Sequence, residues 1–300
     1  LIAARPEARD RFLFHRDRLH KLPTGAGELF RSGLLSIRGK LRLLAEAFVA
    51  VRRECGDESV HEFSSRRIGR EAAEVLVDAM VTGIHAGDPT LLSVAAAFPR
   101  MVQLERDYGS LLRAMPTLRK KRRDEAATCP SPRTPLSRGE KGRGEGSASP
   151  GGSLWSLKAG MGQLIETLAE RCGAELIRGV VVKEIRPHDE GGWLVQAEGA
   201  DRWRADAVVL ACPSFTQAAI TESLDPELSR MLAEIRYNSV VVVAVGFRQS
   251  DLHRRLDGFG YLSPQRSRRD VLGVLWSSSI FEHRAPDGMV LLQVMCGGWN

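Results

Sequence analysis

The chain has 300 residues, of which 43% are hydrophobic, and its formal net charge is +6 at pH 7. This hydrophobic content excludes an intrinsically disordered protein, and the length suits one large or two moderate domains. Residues 119 to 152 hold nine basic and four acidic residues, so this stretch carries +5 and the rest only +1. A nearly neutral folded part argues against a nucleic-acid-binding protein.

The five cysteines lie far apart and form no CxxC pair. This spacing favours a reducing, cytoplasmic compartment over a disulfide framework or a zinc site. No apolar run reaches the roughly 18 residues of a membrane-spanning helix. The sequence begins at Leu1 and stops after a strand-like run that ends in a glycine pair, so we expect a fragment of a longer protein.

The first predicted elements are a hairpin and an amphipathic helix. The segment "DRFLFHRDRLHKLP" alternates apolar and polar residues around a polar turn at His15 to Arg18, which predicts a short hairpin that ends at Pro23. From Ser36 the period changes, and apolar residues recur at spacings of four and three. This set predicts one helical face: Ile37, Leu41, Leu44, Phe48 and Val51.

Two further helices are predicted around a sharp bend. Ser59 followed by Glu62 has the form of a capping box, and "REAAEVLVDAMVTG" continues as a helix that we expect to end at Gly83. Asp88 is then a candidate N-cap, with Pro89 at the first helical position. Short helices are expected to follow as far as about Met115.

The stretch from Arg119 to Gly152 is rich in Pro, Gly, Ser and Arg and holds few large apolar residues. Such a composition cannot bury enough surface to offset the entropy of ordering, so a disordered basic insertion is predicted.

The remainder of the chain has an α/β pattern. A helix is expected from Gly162 to Cys172, capped by Gly173, and strands are expected in "ELI", "VVVKEI", "GWLVQAE" and "RWRADAVVLACP". The run "AVVLA", residues 207 to 211, predicts a strand buried on both faces. A helix at "PELSRMLAEI" precedes strands in "SVVVVAVGF", "GFGYLSP", "VLGVLWSSS" and "MVLLQVMC".

No catalytic motif for hydrolysis or phosphoryl transfer is found in the sequence. The glycines carry more information. In "SLKAGMGQL", Gly160 and Gly162 stand at the mouth of a helix, where backbone N–H groups can approach an anion closely. A plain turn before a helix explains the same two glycines.

The order of these motifs resembles a known family. The segment "SLWSLKAGMGQLIETLAERCGAELIRGVVVKEI", followed by "ADAVVLACP", is similar to the middle of flavin amine-oxidase-type proteins. Within them, five further motifs resemble the oxygen-dependent protoporphyrinogen oxidase family. These motifs are "RFLFHRDRLHKLP", "TGIHAGDPTLLSVAAAFPRM", "YGSLL", "GFGYLSP" and "LGVLWSSSIFEHRAPDG".

The resemblance implies a substrate site. Arg11 is expected to bind a propionate of the substrate through bidentate hydrogen bonds. Gly83 is expected to lie against the tetrapyrrole, where a missing Cβ admits a large flat ring. The other implied contacts are apolar: Met80, Ile84, Leu232 and Phe259. A surface arginine, a helix stop at Gly83 and core aromatics explain the same residues without a substrate.

The resemblance also implies FAD as cofactor. Val182, in a strand of the form V-x-x-I, is expected to contact the adenine through its backbone, and Cys212 and Pro213 to return the chain to the flavin. The implied chemistry is oxidation of a porphyrinogen in FAD-dependent steps, with dioxygen reoxidising the flavin. The partners expected are therefore a porphyrinogen, dioxygen and, through the amphipathic helices, the surface of the cytoplasmic membrane. No nucleic acid is expected.

The implied architecture is a mixed α/β fold with two FAD-linked domains. We assign residues 1–35 to entry strands of a substrate domain, 36–118 to a helical subdomain, and 119–152 to the insertion. Residues 153–213 fall in the FAD-binding domain and 214–300 in the substrate-domain sheet. The GxGxxG turn of a dinucleotide-binding fold is not in this sequence, so we expect the chain by itself to bind FAD poorly or not at all. Two alternatives are another flavin oxidase acting on an apolar substrate and a degenerate fragment without activity.

Overall fold

The computed structural model describes residues 1–52, 56–128, 154–267 and 270–299. The described chain divides into two compact units. Unit 1 comprises Leu1–Gly160 and Asn238–Asn300, and unit 2 comprises Met161–Tyr237. Both units contain helices and strands, which confirms the predicted mixed α/β class. The five narrower domain ranges expected from the sequence stay predictions.

Among the described residues, the first part of unit 1 holds four strands and eight α-helices. The strands are β1 (Ile2–Ala3), β2 (Arg11–His15), β3 (Arg18–Lys21) and, after the helices, β4 (Trp155–Ser156). The helices are α1 (Ala26–Arg31), α2 (Ile37–Leu44), α3 (Val60–Ile68), α4 (Arg70–Ala72), α5 (Asp78–His85), α6 (Val94–Ala97), α7 (Pro99–Tyr108) and α8 (Leu111–Thr128). A π-helical turn, Ala73–Val77, joins α4 to α5.

Unit 2 and the return to unit 1 complete the chain. Unit 2 holds α9 (Gly162–Arg171), β5 (Val182–Pro187), β6 (Trp193–Ala197), β7 (Arg202–Ala205), α10 (Ser214–Thr221) and α11 (Pro226–Ala233). The return holds β8 (Ser239–Arg248), β9 (Gly260–Leu262), β10 (Val271–Leu275), α12 (Ser277–Ile280) and β11 (Met289–Gly298).

A six-stranded mixed sheet forms the frame of unit 1, with the order β3-β2-β9-β10-β11-β8. All neighbours are antiparallel except β2 and β9, which run parallel and place Arg11 opposite Gly260. The parallel pair brings residues from the beginning and the end of the chain together. In unit 2, β5, β6 and β7 form an antiparallel meander.

The predicted hairpin is confirmed by β2 and β3. Phe12 pairs with Lys21 and His15 with Arg18. The two residues between the strands, Arg16 and Asp17, have φ angles of 52° and 58°. Two successive left-handed residues match the right-handed twist of a tight hairpin, so the polar turn sets the register.

The main core of unit 1 lies where β2 packs against helices. Its buried members are Leu13, Leu34, Leu35, Ala72, Val75 and Ala79. Leu262 of β9 packs against this cluster from the sheet. A second cluster of Val60, Phe63, Val81 and Val94 lies between α3, α5 and α6. Because α5 contributes to both clusters, its position relative to the sheet is set from two sides.

The apolar stripe predicted along α2 is exposed. Ile37 and Phe48 are 77% and 86% exposed, and Leu41 and Leu44 are 59% and 43% exposed. The helical period is correct for Ile37–Leu44, after which a 3₁₀ turn, Ala45–Phe48, follows. We call Ile37, Leu41, Leu44 and Phe48 the α2 stripe. None of the helices in the described ranges is long and apolar enough to cross a membrane.

The helix signals between α3 and α6 are confirmed at the start and wrong at the end. Ser59 and Glu62 form the predicted capping box of α3. Gly83 lies inside α5, which continues to His85 and ends at Ala86 with a left-handed φ of 49°. Buried packing of Val81 and Thr82 holds the helix past the glycine. The Asp88 carboxylate accepts a hydrogen bond from the Thr90 amide in a turn, so no helix begins at Pro89. The next helix begins after its N-cap, Ser93.

A buried ion pair connects three helical segments. Arg67 of α3 and Glu46 are both fully buried and form a short hydrogen-bonded pair. Glu46 also accepts hydrogen bonds from the Ser110 hydroxyl and from the amides of Leu111 and Leu112 at the start of α8. Burial opposes ionisation, yet these hydrogen bonds and the Arg67 charge lower the pKa of Glu46. The carboxylate therefore caps α8.

The predicted disordered insertion is wrong over its first ten residues. α8 continues from Leu111 to Thr128, so residues 119 to 128 are helical. Arg, Lys, Glu and Ala are good helix formers, which explains why the helix extends into the basic run. The rest of the predicted insertion, residues 129 to 152, lies outside the described residues.

Unit 2 confirms the predicted helix α9 and the strands β5 and β6. α9 ends at Arg171, and Gly173 has a φ of +64°, as a C-terminal glycine cap requires. Two predicted strands are wrong. "ELI" is not a strand, and β7 stops at Ala205, before "AVVLA". Val209 is 89% exposed, because no strand of the described chain pairs with this extended run.

Candidate functional site

An arginine and a phenylalanine lie together at the start of the parallel strand pair. The guanidinium carbon of Arg11 lies 5.0 Å from the centre of the Phe259 ring. This distance is a cation–π contact. Arg11 is exposed and Phe259 is half-buried, so the pair presents a cation and an aromatic face to solvent. Such a pair suits a ligand that carries both a carboxylate and a flat ring.

The "GFG" sequence holds Phe259 in place through its backbone. The amide of Phe259 donates to the Asp10 carbonyl at 2.7 Å, and its carbonyl accepts from the Trp276 amide at 3.0 Å. Gly258 has a φ of +144°, and a Cβ there would lie 2.9 Å from both the Phe12 and the Trp276 ring. A side chain at position 258 would therefore displace the strands that fix the phenylalanine.

The α5 face beside β9 forms an apolar wall. Met80, Gly83 and Ile84 share one helical face by their spacing of three and four. Met80 and Ile84 are 39% and 61% exposed. A Cβ on Gly83 would lie 2.6 Å from Cδ1 of Leu262. The missing side chain of Gly83 therefore makes room for Leu262 in this structure.

Leu262 is the wall residue that sequence reasoning missed. It follows Phe259 by three residues, so the two lie about 10 Å apart along the strand. It contacts two glycines, because a Cβ on Gly273 would lie 3.0 Å from its Cδ2 atom. Each glycine is unremarkable alone in the sequence, and only the packing of α5 and β10 around β9 shows that they face one leucine. Arg11 and Phe259 are thus in contact with each other, and Leu262 is in contact with Gly83.

Two ionisable side chains lie close to these residues: Asp10, whose carboxylate lies 2.7 Å from the Lys21 ammonium, and Tyr261. Burial raises the pKa of the Tyr261 hydroxyl, which keeps this neighbour of Leu262 neutral. Across the part of the chain that the structure describes, no cluster of His, Cys, Asp and Glu could hold a metal ion. The residues of the candidate site therefore supply a cation, an aromatic ring and apolar side chains.

Leu232 lies in the other unit. It belongs to α11 of unit 2 and is half-buried. Its role in lining the substrate site therefore stays a prediction.

The residues expected to bind FAD lie on unit 2. Val182 is the first residue of β5, and β5 pairs only with β6 among the described strands. Its outer edge therefore offers backbone N–H and C=O groups of the kind that hydrogen-bond an adenine. Ile185, the last residue of V-x-x-I, is buried on the inner side. This geometry fits an adenine-contacting strand.

Cys212 and Pro213 lead into α10. The Cys212 carbonyl accepts a hydrogen bond from the Gln217 side chain at 2.6 Å, and Pro213 precedes the first helical residue. The Ser214 amide donates to the Tyr237 hydroxyl at 3.0 Å. These bonds fix the backbone of the segment that leads into α10.

The mouth of α9 has the open geometry predicted for a close approach to an anion. Gly160 has a left-handed φ of +92°, and a Cβ on Gly162 would meet nothing within 4 Å. The N-cap, Met161, supplies no side-chain hydrogen bond to the helix. Backbone amides at this helix start suit a phosphate or another anionic group.

Comparison with known proteins identifies the family. The model of the family described as "Flavin containing amine oxidoreductase" matches residues 4–300. The chain belongs to this family. A crystal structure from Exiguobacterium sp. 255-15 covers 97% of the chain with a TM-score of 0.72 at 21% identity, and that of reduced UDP-galactopyranose mutase has a TM-score of 0.61. Both confirm the fold.

Several curated relatives are porphyrinogen oxidases by name. The chloroplastic protoporphyrinogen oxidase of Nicotiana tabacum is 30% identical over 99% of the chain, and that of Homo sapiens is 28% identical over 98%. The coproporphyrinogen III oxidase of Bacillus subtilis is 25% identical over 92%. The chain spans 54%, 59% and 54% of these relatives, so it corresponds to little more than half of their length.

Proposed function

We propose that this chain is the substrate-binding part, and part of the flavin-binding part, of an FAD-dependent oxidase that converts a porphyrinogen to the porphyrin. Dioxygen is the proposed electron acceptor, and haem biosynthesis is the proposed setting. The proposal concerns the whole protein, because the relatives are longer than this chain. Family membership and the names of the relatives support it, and one observation of the structure carries it.

That observation is the pairing of Arg11 with Phe259. A porphyrinogen carries propionate groups on a large apolar macrocycle, so its recognition needs a cation next to an aromatic surface. Arg11 can hold a carboxylate through two parallel hydrogen bonds, and Phe259 offers a ring face within 5.0 Å of the same guanidinium. Met80, Ile84 and Leu262 supply the apolar wall for the rest of the macrocycle.

The protein's own groups bind, orient and exclude water. FAD, when bound, supplies the acceptor for each pair of electrons that leaves the porphyrinogen. Val182 would hold its adenine, and Cys212 and Pro213 would border the flavin. A carboxylate held by Arg11 fixes the macrocycle in one orientation, and the α5 wall keeps its apolar edges dry. Binding and orienting the substrate in this way requires no protein acid or base at the wall.

Steady-state turnover of the full-length protein tests the proposal. Protoporphyrinogen IX and coproporphyrinogen III are each supplied in air, and porphyrin fluorescence and peroxide are measured. Turnover of either substrate supports the proposed function. Flavin-loaded protein that oxidises amines and neither porphyrinogen would contradict it and favour another oxidase of the family.

We also propose a peripheral position on the cytoplasmic membrane, seated through the α2 stripe. Four large apolar side chains of this stripe are between 43% and 86% exposed. α2 itself carries three basic residues, Arg38, Lys40 and Arg42, and no acidic residue. An apolar face flanked by positive charge suits an anionic lipid surface.

Vesicle flotation tests this position. The full-length protein is expected to float with vesicles that contain an anionic phospholipid, and Ile37→Ser with Phe48→Ser should reduce the bound fraction. Leu91→Ser is the matched control, because Leu91 is 61% exposed but lies outside the stripe. Equal flotation of all three proteins would overturn the proposed seat.

A further inference from the structure

An arginine side chain donates hydrogen bonds to the segment that leads from unit 1 into unit 2. Unit 1 ends at Gly160 and unit 2 begins at Met161, so the chain from β4 to Gly160 forms one of the two crossings. We call residues 157–160 the crossing loop. Arg284, which follows α12 in a distant part of the sequence, reaches this loop with its guanidinium group.

Arg284 makes three hydrogen bonds at the crossing loop and the residue before it. One terminal nitrogen donates to the Leu157 carbonyl and to the Ser156 hydroxyl, each at 2.8 Å. The other donates to the Lys158 carbonyl at 3.2 Å. The guanidinium carbon also lies 5.5 Å from the centre of the Phe281 ring, which supports the group from behind. A planar guanidinium suits this set, because its donors point in fixed directions.

The hydrogen bonds of Arg284 lie next to Gly160, where the backbone of the loop adopts a left-handed conformation. The Leu157 carbonyl accepts from Arg284 and also from the Gly160 amide at 3.0 Å. Gly160 has a φ of +92°, and a Cβ there would lie 3.6 Å from a terminal nitrogen of Arg284. Arg284 therefore lies directly against the glycine from which the chain proceeds to α9.

The strand that precedes the loop is a short anchor to unit 1. β4 is two residues long and pairs with β1, also of two residues, through Ile2 and Ala3. So short a ladder is weak by itself. A charged group that donates to two main-chain carbonyls adds more stability than a neutral hydrogen bond.

We infer that Arg284 is a positioning residue that holds the crossing loop in the conformation from which α9 begins, and thereby keeps the α9 mouth formed for the flavin cofactor. The flavin half of this inference rests on the proposed function. The structural half concerns unit 1 alone. Arg284 touches neither substrate nor cofactor in this account and acts through Leu157, Lys158 and Gly160.

Limited trypsin digestion of the full-length protein tests the structural half. Trypsin cleaves after Lys158 faster when the crossing loop is released, and mass spectrometry identifies this cut among the others. Arg284→Ala should raise the rate of this cut by about tenfold or more, the factor that corresponds to the loss of one hydrogen bond from a charged group. Ser156→Ala should raise it less, since two carbonyl bonds remain.

Two further variants separate a local effect from misfolding. Arg284→Lys should give an intermediate rate, because an ammonium group keeps the charge but not the fork geometry. Arg255→Ala removes an exposed arginine that lines the same cavity as Arg284 and should leave the rate unchanged. An unchanged rate in folded Arg284→Ala, or an equal increase in Arg255→Ala, would overturn the inference.

Flavin retention tests the second half. The dissociation constant for FAD should rise about tenfold in Arg284→Ala and less in Arg284→Lys, at similar Tm. A faster cut at Lys158 with unchanged flavin affinity would overturn the link to the cofactor. It would still support the role of Arg284 in holding the crossing loop. If the wild-type protein binds no flavin, the proposed function fails, while the trypsin comparison still decides whether Arg284 holds the loop.

Discussion

Leu262 fills the space that a side chain on Gly83 would need, with its Cδ1 atom 2.6 Å from the position of a Cβ at residue 83. This contact joins α5 to β9 and fixes the apolar wall on α5. The glycine admits a leucine of the protein itself, and the leucine then becomes part of the wall. The effect on stability of a substitution at either residue should therefore depend on the side chain at the other.

Gly83→Ala should destabilise the protein by about 1–3 kcal/mol, because the added methyl group overpacks the contact with Leu262. Urea unfolding measures the change. Gly27→Ala is the matched control, since a Cβ at this helical glycine would meet nothing within 4 Å. It should be neutral or stabilising by up to about 1 kcal/mol. Equal effects of the two substitutions would contradict the contact.

Combining Gly83→Ala with Leu262→Ala tests the same contact from the other side. The shorter side chain at position 262 leaves room for the new methyl group. The double variant should therefore be more stable than the sum of the single effects predicts, by about 0.5 kcal/mol or more. Simple additivity would mean that the two residues do not share the space.

Arg11→Ala should weaken substrate use and leave the fold intact. Loss of hydrogen bonds to a carboxylate raises KM by about tenfold to a hundredfold, while the lost cation–π contact with Phe259 costs only about 0.5–1 kcal/mol of stability. KM, kcat and flavin content of the full-length protein are measured. Arg18→Ala, at an exposed arginine of β3, is the control. Parallel loss of flavin and activity would point to misfolding.

Glu46→Gln should destabilise the protein by about 3–5 kcal/mol at neutral pH, because it leaves Arg67 buried beside a neutral partner. The folded-state pKa of Glu46 is lowered, so its stabilising effect is present above the ordinary pKa of a glutamate. The effect is lost as the pH falls through the folded-state pKa.

Urea unfolding at a series of pH values measures this dependence. The difference between wild type and Glu46→Gln should shrink in acid and stay constant from weakly acidic to neutral pH. Glu282→Gln, at a carboxylate that is 61% exposed and 3.8 Å from Arg5, should cost less than about 1 kcal/mol throughout. A pH-independent difference for Glu46 would argue against an ionised, buried carboxylate.

Leu34→Ala and Leu41→Ala should differ sharply. Leu34 is fully buried in the main core, whereas Leu41 of the α2 stripe is 59% exposed. Truncation of the buried leucine should cost about 2–5 kcal/mol, and truncation of the exposed one less than about 0.5 kcal/mol. Thermal or urea unfolding compares them. Similar losses would mean that the stripe is packed in solution.

The sequence predicts local elements well where the signal and its partner are close together. The hairpin of β2 and β3 is an example, because a polar turn and alternating strands specify its register within eleven residues. The capping box at Ser59 and Glu62 is another. The α2 helix is also correct, but its period alone could not show that Ile37 and Phe48 face solvent.

Features that depend on distant residues were missed or wrong. The end of α5 after Gly83 depends on core packing of Val81, which no local signal reports. "AVVLA" reads as a central strand, yet it has no partner strand within the described chain. The sequence does not predict the packing of Leu262, because its two glycine neighbours, Gly83 and Gly273, are remote in sequence. Arg11 and Phe259 came from a family resemblance, and only the parallel pairing of β2 with β9 shows them in contact.

The most direct test of the proposed oxidase is anaerobic reduction of the flavin by the substrate. The full-length, flavin-loaded protein is mixed with protoporphyrinogen IX or coproporphyrinogen III in the absence of dioxygen, and the loss of oxidised-flavin absorbance is followed. At least one porphyrinogen should reduce the flavin rapidly, and reduction of Arg11→Ala should need a higher substrate concentration. A flavin that stays oxidised with both porphyrinogens would contradict the central claim.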